Sequence, residues 1–228
     1  MNLAVMIGAL PDLLGGVALT AELVALALAV GFVIALPTAL ARLSGIAALR
    51  WLATAYVFTF RGTPLLVQIF LIYYGLSQFA FVRDSLAWVV LKQPFWCTLI
   101  ALALNTGAYT AEVFRGGILS VPHNQIEAAR AIGMSPATAF RRIIWPLAIR
   151  QALPAYGNEM ILMVKASSLA STVTLMDITG VAQTLAADTY MPIEIFTAAA
   201  LIYLGLTYAM TQAIHLFERR LDVTRRRR

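Results

Sequence analysis

Charge is what this chain has least of. Asp, Glu, Lys and Arg make up only 12% of its 228 residues, against about 25% in a typical soluble domain, while 61% are hydrophobic and the mean hydropathy is +0.80. A water-soluble globule is excluded. Short strands of alternating polarity, the signature of a membrane barrel, are missing as well. The apolar runs instead reach the ~20 residues that a helix needs to cross a bilayer core. There is one cysteine, Cys97, inside an apolar run; an intramolecular disulfide and a cysteine-based metal site are ruled out, and it reads as a small apolar filler. No stretch matches GxxxxGK[ST], the loop that cradles nucleotide phosphates, and no catalytic or metal-ligating set stands out. The first 15 residues hold no Lys or Arg, so the first apolar run is expected to stay as a membrane helix rather than leave as a signal peptide.

Five membrane segments follow from the apolar runs: about 16–40, 51–81, 94–114, 153–175 and 195–217. The whole chain, 1–228, reads as one all-α integral membrane domain, with no soluble domain and no obvious internal repeat. The net charge of +6 encodes orientation rather than nucleic-acid binding. With the arginine-rich tail inside, Arg42, Arg50, Arg115, Arg130, Arg141, Arg142 and Arg150 all fall on the same inner side, so that 13 of the 17 basic residues are cytoplasmic. An odd number of spans then places the amino terminus outside.

The second segment is too long for one straight span, and Arg61-Gly62-Thr63-Pro64 predicts a break in it, because proline removes a backbone donor and glycine loosens the helix. Arg61 is either exposed to water or a carboxylate at that break, or an interfacial residue on a short helix before the true span. Asn105, Tyr109, Glu112 and Gly116 share one helical face, and Glu112 lies three residues before Arg115; a local ion pair is the simplest reading, a substrate contact the other. Between the last two spans a short helix is expected around 181–187.

The longest polar interruption, 122–146, contains EAARAIGMSPATAFRRIIWP. Asn124 and Glu127 have the spacing of a capping box and predict a helix start. Gly133 is placed to end that helix in the left-handed conformation. Ser135-Pro136 reads as the cap and first-turn proline of a second helix, with Ala139, Phe140, Ile143 and Ile144 on one face, Arg141 and Arg142 on the other, and Pro146 interrupting it. Geometry leaves two roles open, an interfacial pair lying on headgroups or a docking knob in which the small Ala128 and Ala129 permit close approach.

Glu127, Ala128, Ala129, Gly133, Ile143 and Pro146 match the cytoplasmic EAA signature of ABC importer permease subunits, which this loop resembles; Trp145 stands where leucine is usual. The resemblance implies that the loop, with Met134 and Ser135 at its turn, is a coupling helix seated in a groove of an ATP-hydrolysing subunit. FRGTPLLVQIFLIYYGL, NTGAYTAEVFRGGI and ALPAYGNEMILMVKASSLAS are similar to the polar amino-acid branch of these permeases, although Ala166 replaces an aspartate that many relatives carry. VTLMDITGVAQ and TYMPIEIFTAAALIYL look most like the M-type subunits for histidine, arginine, lysine or opines.

The fold implied is that of a type I ABC importer permease, in a multi-pass protein of the bacterial inner membrane. Its implied partners are two ATP-binding subunits, which hold the ATP and Mg that this chain does not, a second permease subunit of the same or related sequence, and an external amino-acid-binding protein. For the substrate path, Glu159, Asn158, Arg61 and Tyr109 are the candidates, since intramembrane polar groups are functional by default. Glu159 supplies either a charge for a cationic or zwitterionic amino acid or a structural hydrogen bond. Asn158 and Lys165, seven residues apart, share a face. A stand-alone secondary transporter or channel is the alternative function, and a membrane anchoring subunit a third.

Overall fold

The computed structural model describes residues 2–221, all-helical in architecture and without a strand among them; the arginine-rich end, 222–228, lies outside the described residues. Helix α1 runs from Leu3 to Leu43, well before the expected start at 16. Two features extend it. The Asn2 side chain accepts a hydrogen bond from the Ala4 amide, and Met6, Ala9 and Leu13 are buried against Ile178, Ala182 and Ile195 from the far end of the sequence. That contact outweighs the helix-weakening Pro11 within the same stretch.

Helix α2 (Ala47–Gly62) and α3 (Leu65–Phe70) are separated at Thr63-Pro64. A π turn (Leu71–Gly75) and a 3₁₀ turn (Leu76–Gln78) extend α3, and the two arms of this pair meet at 107°. The expected break is therefore a sharp corner, and its chemistry is local. Pro64 has no N–H to donate, so the Phe60 carbonyl is freed from its helical partner. The Gln68 amide fills the gap, donating to the carbonyls of Phe60 (2.8 Å) and Thr63 (3.0 Å). Asn105 donates to the same Phe60 carbonyl (3.2 Å) and to Gln68 Oε1 (3.0 Å). Gln68→Leu removes the shared donor of two partly buried hydrogen bonds and is expected to cost about 1 kcal/mol, read as a lowered thermal midpoint in detergent. An unchanged midpoint would show that water satisfies the corner instead.

Short turns α4 (Ala80–Arg83) and α5 (Trp88–Leu91) lead to α6 (Pro94–Leu119), the most buried long helix of the bundle. It packs most extensively on α1. Small residues allow this: a side chain on Gly31 of α1 would meet Thr106 and the Ala103 carbonyl, and one on Gly107 would meet Ile34 and the Tyr56 hydroxyl.

After α7 (His123–Ala131), α8 (Pro136–Ala139) continues through a π turn (Phe140–Ile144) into α9 (Trp145–Ala166) and a 3₁₀ segment (Ser167–Val173). Pro146 does not interrupt this path, contrary to expectation. It sits in the first turn of α9, where a missing N–H costs little, and the widened turn carries the chain into α9 through the Trp145 amide, which donates to Phe140. Helix α10 (Ile178–Thr189) is longer than expected because Asp177 caps it, accepting from the Gly180 amide at 3.0 Å. Helix α11 (Pro192–Leu221) closes the bundle. By length and composition α1, α6 and α11 can each cross a membrane, and counting each bent pair as one span brings the total to five.

Candidate functional site

The 122–146 segment folds as two helices around a tight turn. Helix α7 ends in a Schellman arrangement: the Met134 amide donates to Ala129 (3.0 Å) and the Gly133 amide to Arg130 (2.9 Å). Gly133 takes φ +77° there, with open space where a side chain would begin. Ser135 then caps α8, accepting from the Thr138 amide at 3.3 Å, with Pro136 in the first turn.

The start of α7 differs from the capping-box reading. Pro122 occupies the cap position with extended backbone (φ −58°, ψ 134°), which leaves Asn124 inside the first turn with no capping bond. Glu127 faces His123 instead, at 3.2 Å. A cap is decided by where the chain leaves extended geometry, and that is at Pro122, whose ψ of 134° is extended while His123 is already helical.

Ala129 is buried beneath α7, whereas Glu127 and Ala128 are exposed and Ile132 is 72% exposed beside the turn. On the second helix Ala139 is buried, Phe140, Ile143, Ile144 and Pro146 are half-buried, and Arg141 and Arg142 face out. Trp145 stacks on Phe140 and meets Phe114 edge-on. The loop is thus pinned to the bundle by aromatics while its turn projects an acid, small residues and an isoleucine.

The polar residues of the spans divide into two neighbourhoods. In the first, Glu112 of α6 is a hub. Arg115 donates to it from Nε and Nη2 (3.0–3.2 Å), Arg42 of α1 forms an ion pair with it, and Arg61 of α2 reaches 3.9 Å while lying over the Tyr109 ring at 5.0 Å. The expected Glu112–Arg115 pair is present. Arg42, 70 positions away in sequence, was not foreseeable from it, and neither was the buried Gln68. In the second neighbourhood, Glu159 of α9 is only 7% exposed and turns toward Thr106 of α6, although no hydrogen bond of standard geometry closes on that hydroxyl. Arg61 pairs with Glu112, and no ion pair joins it to Glu159 among the described residues. Asn158 points the other way, exposed on the face of α9 that also carries Gln151 and Lys165. The four path candidates therefore do not converge on one point: Arg61 and Tyr109 are together, Glu159 is buried beside Thr106, and Asn158 is apart.

Residues 27–223 match the model of the binding-protein-dependent transport system inner membrane component. The chain belongs to this permease family. It is 55% identical to the octopine transport system permease protein of Rhizobium meliloti, over 90% of this chain and 84% of that one. It is 41% identical to the histidine/lysine/arginine/ornithine transport system permease protein of Escherichia coli strain K12, over 90% and 87%. Among solved structures it matches an amino acid ABC transporter with histidines at TM-score 0.86 and 37% identity, covering 96% of this chain and 99% of that one. The all-helical, multi-pass permease fold read from the sequence is borne out by this likeness. A permease of this family works as the membrane subunit of an ABC importer, with ATP hydrolysis in a separate partner.

Proposed function

We propose that this permease subunit imports basic amino acids or their opine conjugates across the bacterial inner membrane, by alternating access driven from the 122–146 loop. The observation that carries the reading is the loop itself: a helix, a left-handed Gly133 and a Ser135-capped helix, pinned at Trp145 and projecting an exposed Ile132. A rigid knob of this kind transmits force, which a mobile loop could not. Support for the substrate class comes from the relatives, which handle octopine or cationic amino acids.

The loop sits on the cytoplasmic side, with the Arg-rich inner segments around it. Two ATPase subunits, binding ATP and Mg, dock there. A second permease copy or a related chain completes the path, and an external binding protein loads it from the other face. ATP and substrate shift the inward–outward equilibrium only by their differential affinity for the two states.

Within the spans, Glu159 supplies a negative charge for the cationic group of the substrate. Glu159→Gln is expected to lower uptake of arginine by proteoliposomes about tenfold, consistent with loss of a charge-assisted hydrogen bond, while the complex with the ATPase purifies intact. Unchanged uptake would reduce Glu159 to a structural role. A panel of arginine, histidine, octopine and a neutral amino acid, tested for binding to the assembled complex, identifies the substrate; preference for the neutral compound would overturn the class.

A further inference from the structure

A cavity of about 270 Å³ lies away from both the loop and the Glu112 hub. Its walls are Lys165 at the end of α9, Ser168 of the 3₁₀ segment that follows, Thr179 of α10, and Phe196, Ala200 and Tyr203 of α11. Phe196 lies in the second turn of α11, at the start of the span expected at 195–217, so the cavity opens toward the membrane side opposite the 122–146 loop. Phe196 is exposed beside it, and Leu201 and Leu204 continue an exposed apolar face along the helix.

The hydrogen-bonding capacity left in the cavity is specific. Tyr203 donates its proton to Asp177 Oδ2 (3.0 Å), so in the Thr179–Tyr203 contact (3.0 Å) the threonine is the donor. Ser168 donates to the Lys165 carbonyl at 2.7 Å. All three hydroxyl protons are thus committed, and the three oxygens retain accepting lone pairs. The Lys165 ammonium has neither an ion-pair nor a hydrogen-bond partner among the described residues. Ala166 beside it brings no carboxylate, and Asp177 is already taken up by Gly180 and Tyr203. A charged amine in a membrane-spanning segment calls for an anion. The cavity therefore offers one cationic donor, three neutral acceptors and an apolar groove leading away.

We propose that this cavity is a phospholipid site, with the phosphate on Lys165, an N–H or O–H donor of the headgroup on the Ser168, Thr179 and Tyr203 oxygens, and an acyl chain along Phe196 and Ala200. Phosphatidylethanolamine and phosphatidylglycerol meet all three requirements. Phosphatidylcholine has the phosphate and chains but no headgroup donor.

The test uses the assembled transporter in detergent, supplied with each of these three lipids, with bound lipid counted by native mass spectrometry. Ethanolamine and glycerol lipids are expected to be retained about fivefold over choline lipid, the worth of one net hydrogen bond. Lys165→Met should lower their retention by about fivefold, and Lys165→Arg should restore it. Equal retention of the three lipids overturns the proposal, as does retention unaffected by Lys165→Met. Displacement of the lipid by free serine, a zwitterion without a tail, assigns the cavity to a soluble ligand and overturns it too. So does protection of Lys165 from amine acylation in lipid-free complex, which means that a second subunit covers the cavity. If Lys165→Met fails to assemble, the headgroup comparison on the unaltered complex decides alone.

Discussion

Gly133→Pro is expected to abolish ATP-driven uptake while leaving the chain inserted in the membrane. Gly133 holds φ +77° and its amide donates to Arg130 at 2.9 Å. Proline fixes φ near −65° and has no amide proton, so it violates both conditions at a cost of about 3 kcal/mol or more. The Schellman turn cannot form, and the Ser135-capped helix loses its position relative to α7. The membrane spans are untouched, since nothing lies within 4 Å of the space beyond Gly133. Uptake by proteoliposomes should fall by more than about a hundredfold, with ATPase binding weakened or lost. Gly133→Ala is the graded control: it adds strain of only about 1 kcal/mol and should retain measurable coupling. Normal uptake by the proline variant would detach the loop from energy transfer.

Replacing the Glu112 carboxylate should have the next largest effect, this time on stability. Three guanidiniums from three helices converge on it, and the carboxylate is mostly shielded from water. Glu112→Gln leaves Arg42, Arg61 and Arg115 to face one another without an anion, and breaking buried pairs in this way costs about 3–5 kcal/mol; partial exposure of the arginines places the expected loss at the lower end. The thermal midpoint in detergent should drop, and adding Arg42→Gln should recover part of it, because one of the repelling charges then goes. A double-mutant cycle that closes at zero would mean that Arg42 and Glu112 are not coupled.

These two sites also show what the sequence discloses and what it withholds. The Gly133 turn was legible because its cause is local: a glycine after a helical stretch, followed by Ser-Pro. The corner at Pro64 was legible for the same reason, a missing donor that cannot be disguised. The groups that repair that corner were not. Gln68 is near in sequence, yet nothing in its neighbourhood announces that it turns back to the carbonyls of Phe60 and Thr63, and Asn105 arrives from another helix. Arg42 at the Glu112 hub is likewise a product of how α1 crosses α6. The misread cap at Asn124 and the uninterrupted passage through Pro146 share one origin. Spacing rules locate candidate residues, but the backbone conformation of the flanking residues, Pro122 in one case and the π turn in the other, decides where a helix begins. The starting point of α1 depended on burial of Met6, Ala9 and Leu13 against residues more than 160 positions away, which no local pattern carries. Glu159 was singled out by charge alone; its inward turn toward Thr106 became visible only with the packing of α9 on α6.

Site-specific photo-crosslinking from Ile132 asks whether an ATPase subunit seats on the turn of the 122–146 loop. A photoreactive side chain at this position, 72% exposed beside Gly133, is introduced into the assembled transporter in native membranes. A covalent adduct with the nucleotide-binding subunit, changing in yield when ATP is bound, is the predicted result. Adducts with lipid alone would mean that the helix pair lies on the headgroups and would contradict the coupling account.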